Sequence, residues 1–357
     1  MASSPPSLER LKILCWDGYD DPSLLNEFSR RNNCLVNAQG LVSDSLSVRQ
    51  IQLERNVVDI LNINNPFAKK VLYPEGLIRR LDGELADQVK LLSYPIATET
   101  LNWAFSDDGF LLGIPQRFGP FNMVVNTRRL SRNTAESEGF NIIRDTEKQL
   151  NYGILLFPEF NVFHICIAAS INPFEKISSM QLDLFESTAN EWFSNATLVS
   201  SDSRRLNDSL LSGEIDLILS AGLFTSASLH FQGHSHINCV TPADGPIDGR
   251  GGIAFIELTS ILRGAESPDM ANEFLRYILE PNVMSSIAMN PNVCNPIVQI
   301  SDLNVFNTLT SQYLEAIQYE TLEQDMRRCV MYDIPPNFNE LMSRLQLVVA
   351  NAMVGEP

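Results

Sequence analysis

Residues 11–16, LKILCW, are short and apolar at all but one position, which predicts a buried β-strand. The next segment, 22–31, opens on Pro22 and carries Leu24, Leu25 and Phe28 on one face, the pattern of an amphipathic helix. The alternation repeats: a strand over 34–38, a helix over 46–53 with Ser45 as its N-cap, and a strand over 57–63. Strand, helix, strand in this order predicts an α/β fold with a largely parallel sheet.

Further along, 66–73 reads as a short helix, and 109–115 and 121–126 as two strands. A polar stretch, 127–151, separates this half from a second alternating set: a strand over 153–157, helices over 161–169, 182–194 and 202–212, and a strand over 215–220. After Gly251 and Gly252 come an apolar strand over 253–258 and a helix over 269–279 closed by Pro281. The last third is helical and ends in 337–353, with Phe338, Leu341, Leu345 and Val348 along one side.

A chain of 357 residues fits about two domains. Its 26 basic and 43 acidic residues leave a net charge of -17, which argues against nucleic acid or an anionic membrane as partner and leans toward cations. No segment reaches the roughly 18 apolar residues of a membrane span, and the opening MASSPPSLER lacks the apolar core of an export signal. Taken as written, the chain is expected to be cytoplasmic. The six cysteines are scattered, without metal-site pairing or disulfide density, and read as buried thiols.

The first strand delivers Trp16, Asp17 and Tyr19 just before a helix. Ligands of open α/β sheets lie beyond the carboxyl ends of strands, and an aromatic face beside a carboxylate suits an organic cation. The same residues equally serve as packing under the helix, with Asp17 or Asp21 as its cap. Glu257 interrupts the apolar run IAFIELTSIL, and a buried carboxylate requires a cation or hydrogen-bond donors. That requirement is met by a ligand or by a structural arginine. His230 and His234 have the spacing of one helix face, with His236 close by, but this spacing is unspecific and reads first as a solvated helix end, so no metal is assigned. No phosphate-cradling loop or nucleophile elbow is present, and no cofactor is expected.

Five phrases carry a resemblance: CWDGYDDPSLLNEF, VVDILNINNPFAKKVLYPEGLIRRLD, GIPQRFGPFNMVVNTRRL, LLSGEIDLIL and GGIAFIELTSILRGAESPDMANEFLRYILEP. In that order and spacing the chain resembles type 2 periplasmic solute-binding proteins, of the spermidine/putrescine-binding kind. The resemblance implies two α/β lobes joined by crossing hinge strands, with a ligand cleft between them and hinge closure on a bound solute. It puts lobe 1 at 1–126 plus 257–300 and lobe 2 at 127–256 plus 301–357. It also implies a monomer in the periplasm that delivers a small amine to an ABC permease.

By the same resemblance Trp16 stacks on the ligand, followed by Asp17 and Tyr19. Asn62, Asn64, Asn65 and Phe67 follow the third strand. Glu159 and Asn161 occupy the place of an acidic pair, and Phe255 and Glu257 that of a tryptophan and an aspartate. Ser220, Val293 and Cys294 stand where aromatics are expected, which thins the aromatic box. A diamine needs an acid at each end. If Glu159 points elsewhere, the implied ligand is an ω-amino acid met by Arg117, Arg204 or Arg205. Two other classes share this fold: a recruited thiaminase-like enzyme using Cys15 or Cys294, and a cytosolic sensor. Strand alternation turns Cys15 away from Trp16, and no histidine is placed beside either thiol.

Overall fold

The computed structural model describes residues 8–54, 58–81, 83–92, 98–291 and 293–354; Val57 of the third expected strand and the opening residues 1–7 lie outside these. The strands in chain order are β1 (Arg10–Cys15), β2 (Leu35–Gly40), β3 (Ile60–Asn64), β4 (Ile114–Asn126), β5 (Tyr152–Leu155), β6 (Leu198–Ser200), β7 (Leu217–Gly222), β8 (Ile237–Val240), β9 (Gly252–Ile261) and β10 (Cys329–Met331). Contacts divide the chain into two units, Met1–Phe118 with Ile256–Leu309 and Gly119–Phe255 with Thr310–Pro357. The chain changes unit within β4, within β9 and after Leu309. The resemblance puts those boundaries at 126/127, 256/257 and 300/301.

In the first unit β1 lies between β2 and β3, parallel to both, and β9 runs antiparallel to β3. The helix Pro22–Asn32 connects β1 to β2 and buries Leu24, Leu25 and Phe28. Asp21 is its cap, accepting from the Ser23 amide at 2.8 Å. Phe28 packs edge-on against Phe274 with centroids 5.0 Å apart. The helix between β2 and β3 is Asp44–Leu53, and its cap is Ser43 rather than Ser45: the Ser43 hydroxyl accepts from the Leu46 amide at 3.2 Å. This earlier start puts Asp44 in the first turn, fully buried.

The expected strand 121–126 and the last two residues of the expected strand 109–115 belong to one continuous strand, β4, while 109–113 precede it outside any strand. Gly119 and Pro120 suggest a turn, but proline's fixed φ also fits extended backbone, and the run is buried from Ile114 to Val125.

In the second unit the later part of β4 is flanked by β7 and β8, both antiparallel to it, while β5 lies parallel between β7 and β6. β10 runs parallel to the start of β9. The stretch read as a polar separator holds the helix Arg132–Glu138 and a 3-10 turn, Gly139–Arg144, that buries Phe140 and Ile142. The core centres on the helix Pro158–Ala168, buried from Glu159 to its end. Phe160 and Phe163 of this helix pack on Tyr332 with centroids 4.7 and 5.3 Å away. No helix among the described residues is long and apolar enough to cross a membrane.

Candidate functional site

In the first unit, residues facing one another across an antiparallel pair share a side of the sheet. Asn62 opposes Thr259 and Asn64 opposes Glu257, so four polar side chains line one side of β3 and β9. All four are buried. Asn62 donates to the Thr259 hydroxyl at 2.9 Å and its oxygen accepts from the Trp16 amide at 3.4 Å. Thr259 in turn donates to Gln116 on β4. Asn64 donates to Asp44 at 2.7 Å.

Glu257 is held by Arg117, whose Nε and Nη2 donate to its two oxygens at 2.9 and 3.1 Å. The side chains are 3% and 7% exposed, so this is an almost dry bidentate pair. Arg117 also donates to the Val293 carbonyl at 3.1 Å and lies over the Tyr19 ring, 4.5 Å from its centroid. Burial opposes the guanidinium charge, but Glu257 outweighs it and raises the Arg117 pKa. Burial, reinforced by Glu257, holds the Tyr19 hydroxyl protonated, well above its ordinary pKa. The approach of Arg117 needs a glycine at 18: there φ is +95°, and a Cβ would meet Val293 at 2.5 Å and Arg117 at 3.2 Å.

The geometry revises several expectations. Glu257 is not a free carboxylate awaiting an ammonium; it is the counter-ion of Arg117. Tyr19 is 3% exposed and stacks under Arg117 instead of presenting an open face. Trp16 is half-buried and Asp17 exposed, directly after β1. Asn65 accepts from the Ile256 amide at 3.4 Å, and Phe67 is buried at the start of a π-helical turn, Phe67–Leu72. Gln116 and Asp44, absent from the sequence reading, belong to the same polar layer. Two buried atoms in it have no hydrogen-bond partner among the described residues: the Asn64 Oδ1 and the Gln116 Nε2. Such groups in a folded protein call for a water or a ligand.

In the second unit Glu159 is 2% exposed, in the first turn of Pro158–Ala168. Asn161 is occupied by that helix's own start, accepting from the Phe157 amide at 2.9 Å and donating to the Leu155 carbonyl at 3.0 Å. Phe255 lies edge-on to Phe121 and to Phe160, both 6.4 Å away. Beside them His164 is fully buried, with Nε2 2.7 Å from the Phe121 carbonyl and Nδ1 2.8 Å from the Ser220 hydroxyl. A carbonyl only accepts, so Nε2 carries the proton and Ser220 donates to Nδ1. Burial takes the imidazole pKa down to about 3, so it is neutral near pH 7. Ser220 has φ +57° and fills the register shift between β4 and β7 at Asn122/Met123.

Burial pushes the Cys15 thiol up to about 12 and that of Cys294 above its usual value, so neither is a thiolate near neutral pH. The helix Leu223–Phe231 ends before His234, and His230 turns Nε2 to the Ile237 carbonyl at 2.6 Å. Arg204 and Arg205 are exposed.

No family model and no curated protein sequence matches the chain. Solved structures do. A Listeria monocytogenes protein assigned to spermidine/putrescine ABC transport shares 15% identity with a TM-score of 0.74, over 98% of this chain and 100% of its own. The spermidine/putrescine ABC transporter substrate-binding protein of Streptococcus pneumoniae, solved with calcium and HEPES, shares 15% with a TM-score of 0.70, over 96% and 99%. An Agrobacterium tumefaciens binding protein in complex with agropinic acid shares 10% with a TM-score of 0.60, over 97% and 98%. The chain therefore has the two-lobed α/β fold of type 2 periplasmic binding proteins, and these structural neighbours are ligand-binding proteins, mostly of ABC transport.

Proposed function

We propose that this protein is a solute-binding protein of ABC-type uptake, working outside the cytoplasm. Its ligand is a small amine, a polyamine such as putrescine or spermidine or a related ω-amino acid. The observation that carries the reading is the fold, matched along nearly the whole chain to substrate-binding proteins of transport. The first unit supplies the chemistry. Trp16 offers an aromatic face and Asp17 an exposed carboxylate at the end of β1, and an ammonium over tryptophan gains about 0.5–2 kcal/mol. Because Arg117 neutralises Glu257, Asp17 takes over as the ammonium's anchor. Asn64 Oδ1 provides an acceptor for its N–H groups.

The test is thermal denaturation with putrescine, spermidine, γ-aminobutyrate, neutral amino acids and thiamine, since a ligand of the folded state raises Tm. An amine is expected to stabilise the protein, and Trp16→Ala to weaken that binding by about 2- to 30-fold. Stabilisation by a carboxylic acid lacking an amine, with every amine silent, overturns the ligand class and leaves the fold untouched.

A further inference from the structure

The first unit also contains a pocket of about 580 Å³ lined by Lys69, Tyr73, Arg80, Asp107, Asp108 and Arg263, among others. Arg263 stands in the turn just past the end of β9, six residues after Glu257, and none of the residues of the polar layer of β3 and β9 lines this pocket. We infer that it binds a small molecule through an oxyanion, a carboxylate or a phosphate.

Three cations face two carboxylates, on a chain that is otherwise strongly acidic. Both carboxylates are engaged. Lys69 meets Asp107 at 3.1 Å, and Arg80 meets Asp108 at 2.8 Å. Tyr73 links the second pair, accepting from Arg80 Nε at 2.9 Å and donating to Asp108 at 3.1 Å. The Arg80 guanidinium is clamped on its other side by Phe110, 3.7 Å from the ring centroid. Arg80 is thus fixed before any ligand arrives.

Arg263 is the surplus charge. It is exposed, and its guanidinium has no carboxylate partner among the described residues. Its backbone is set by the sheet: the bridge Ile78–Leu262 and the Arg263 amide, donating to the Leu77 carbonyl at 2.8 Å, fix where its side chain starts. A guanidinium fork matches the two oxygens of a carboxylate or phosphate, and the local surplus of one positive charge favours an anion. The volume lies in the range of small-molecule sites and exceeds what a bare ion fills, so the oxyanion is the handle of a larger molecule.

Isothermal titration of the full chain with inorganic phosphate and, separately, with citrate tests this and distinguishes the two sources. Saturable binding of at least one, weakening as salt rises, is expected. Arg263→Ala is expected to weaken it about tenfold or more, and Arg263→Lys by less, since lysine keeps the charge without the fork. Asp107→Asn removes a negative charge from the wall and should tighten it. Trp16→Ala should leave it unchanged, which separates this site from the solute site. No saturable binding of either anion, an unchanged affinity in Arg263→Ala, or weaker binding in Asp107→Asn overturns the inference; the last outcome marks a cation site.

Discussion

Each unit contains parallel strands joined through helices, yet the two bury different material. In the first, charge and amides lie inside: Arg117 on Glu257, Asn64 on Asp44, and Asn62 bonded through Thr259 to Gln116. In the second, the corresponding density is aromatic. Phe121 packs tilted on Phe160 at 4.2 Å and Phe157 stacks on Phe160 at 5.2 Å, and the polar pair admitted among them, His164 and Ser220, is closed on itself and on the Phe121 carbonyl. The first layer keeps unmatched hydrogen-bonding capacity at Asn64 and Gln116, whereas every polar atom of the His164 ring is bonded. Unsatisfied buried groups are costly to a fold, so these two layers differ in how fully their own polar atoms are bonded.

The largest expected effect comes from taking one half of the ion pair away. Arg117→Leu leaves Glu257 buried without its counter-ion and should lower the unfolding free energy by about 3–5 kcal/mol. Removing both charges in Arg117→Leu/Glu257→Leu should restore most of that loss, because two apolar side chains replace the pair without leaving a bare charge. Urea denaturation of both variants decides it. A loss below about 1 kcal/mol in the single variant would mean that the pair is solvated, like a surface bridge, and that the contrast between the units is weaker than drawn.

His164 gives the second unit's counterpart, and here the sign follows from linkage. The folded ring titrates at about 3 against an ordinary 6.5, so below pH 6.5 the unfolded chain takes up a proton that the folded chain refuses. This group's effect is therefore absent above pH 6.5 and grows as pH falls toward about 3, at about 1.4 kcal/mol per pH unit. By pH 5 it amounts to about 2 kcal/mol. His164→Gln keeps a donor for Phe121 and an acceptor for Ser220 but does not titrate. Its unfolding free energy, followed from pH 7 to pH 4, should fall less steeply than that of the unaltered protein by that slope. Equal slopes would show that His164 is not held neutral.

How far the sequence reached depends on the distance over which each feature is decided. The strand β1 and the helix after it were legible because their apolar spacing is local. Glu257 stood out as a carboxylate in an apolar strand, and a structural arginine was one of its two readings, but Arg117 lies 140 residues away and no local signal ties the two. Gln116 was hidden in a proline- and glycine-punctuated phrase that reads as strand, turn, strand. Asp44 carries no signal because a cap at Ser45 leaves it outside the helix. Ser220 registered merely as a missing aromatic. Its positive φ is unpredictable for serine, since the conformation is imposed by the neighbouring strands and by a histidine 56 residues earlier.

The smallest effect supplies a scale common to both units. Ser43 caps Asp44–Leu53 in the first, and Ser178 caps Ser179–Asn195 in the second, where Gln181 closes a capping box. Both caps are local, so neither should sense what its unit buries. Ser43→Ala and Ser178→Ala are each expected to cost about 1 kcal/mol. Amide hydrogen exchange read separately in the two helices measures each loss where it occurs. If the caps cost the same while Arg117→Leu and His164→Gln behave as different in kind as expected, the asymmetry belongs to the buried layers and not to one unit being generally weaker. A cap in the first unit costing several times more than its counterpart would reverse that, because it would mean that Asp44–Leu53, which carries the carboxylate bonded to Asn64, is held mainly by its first turn.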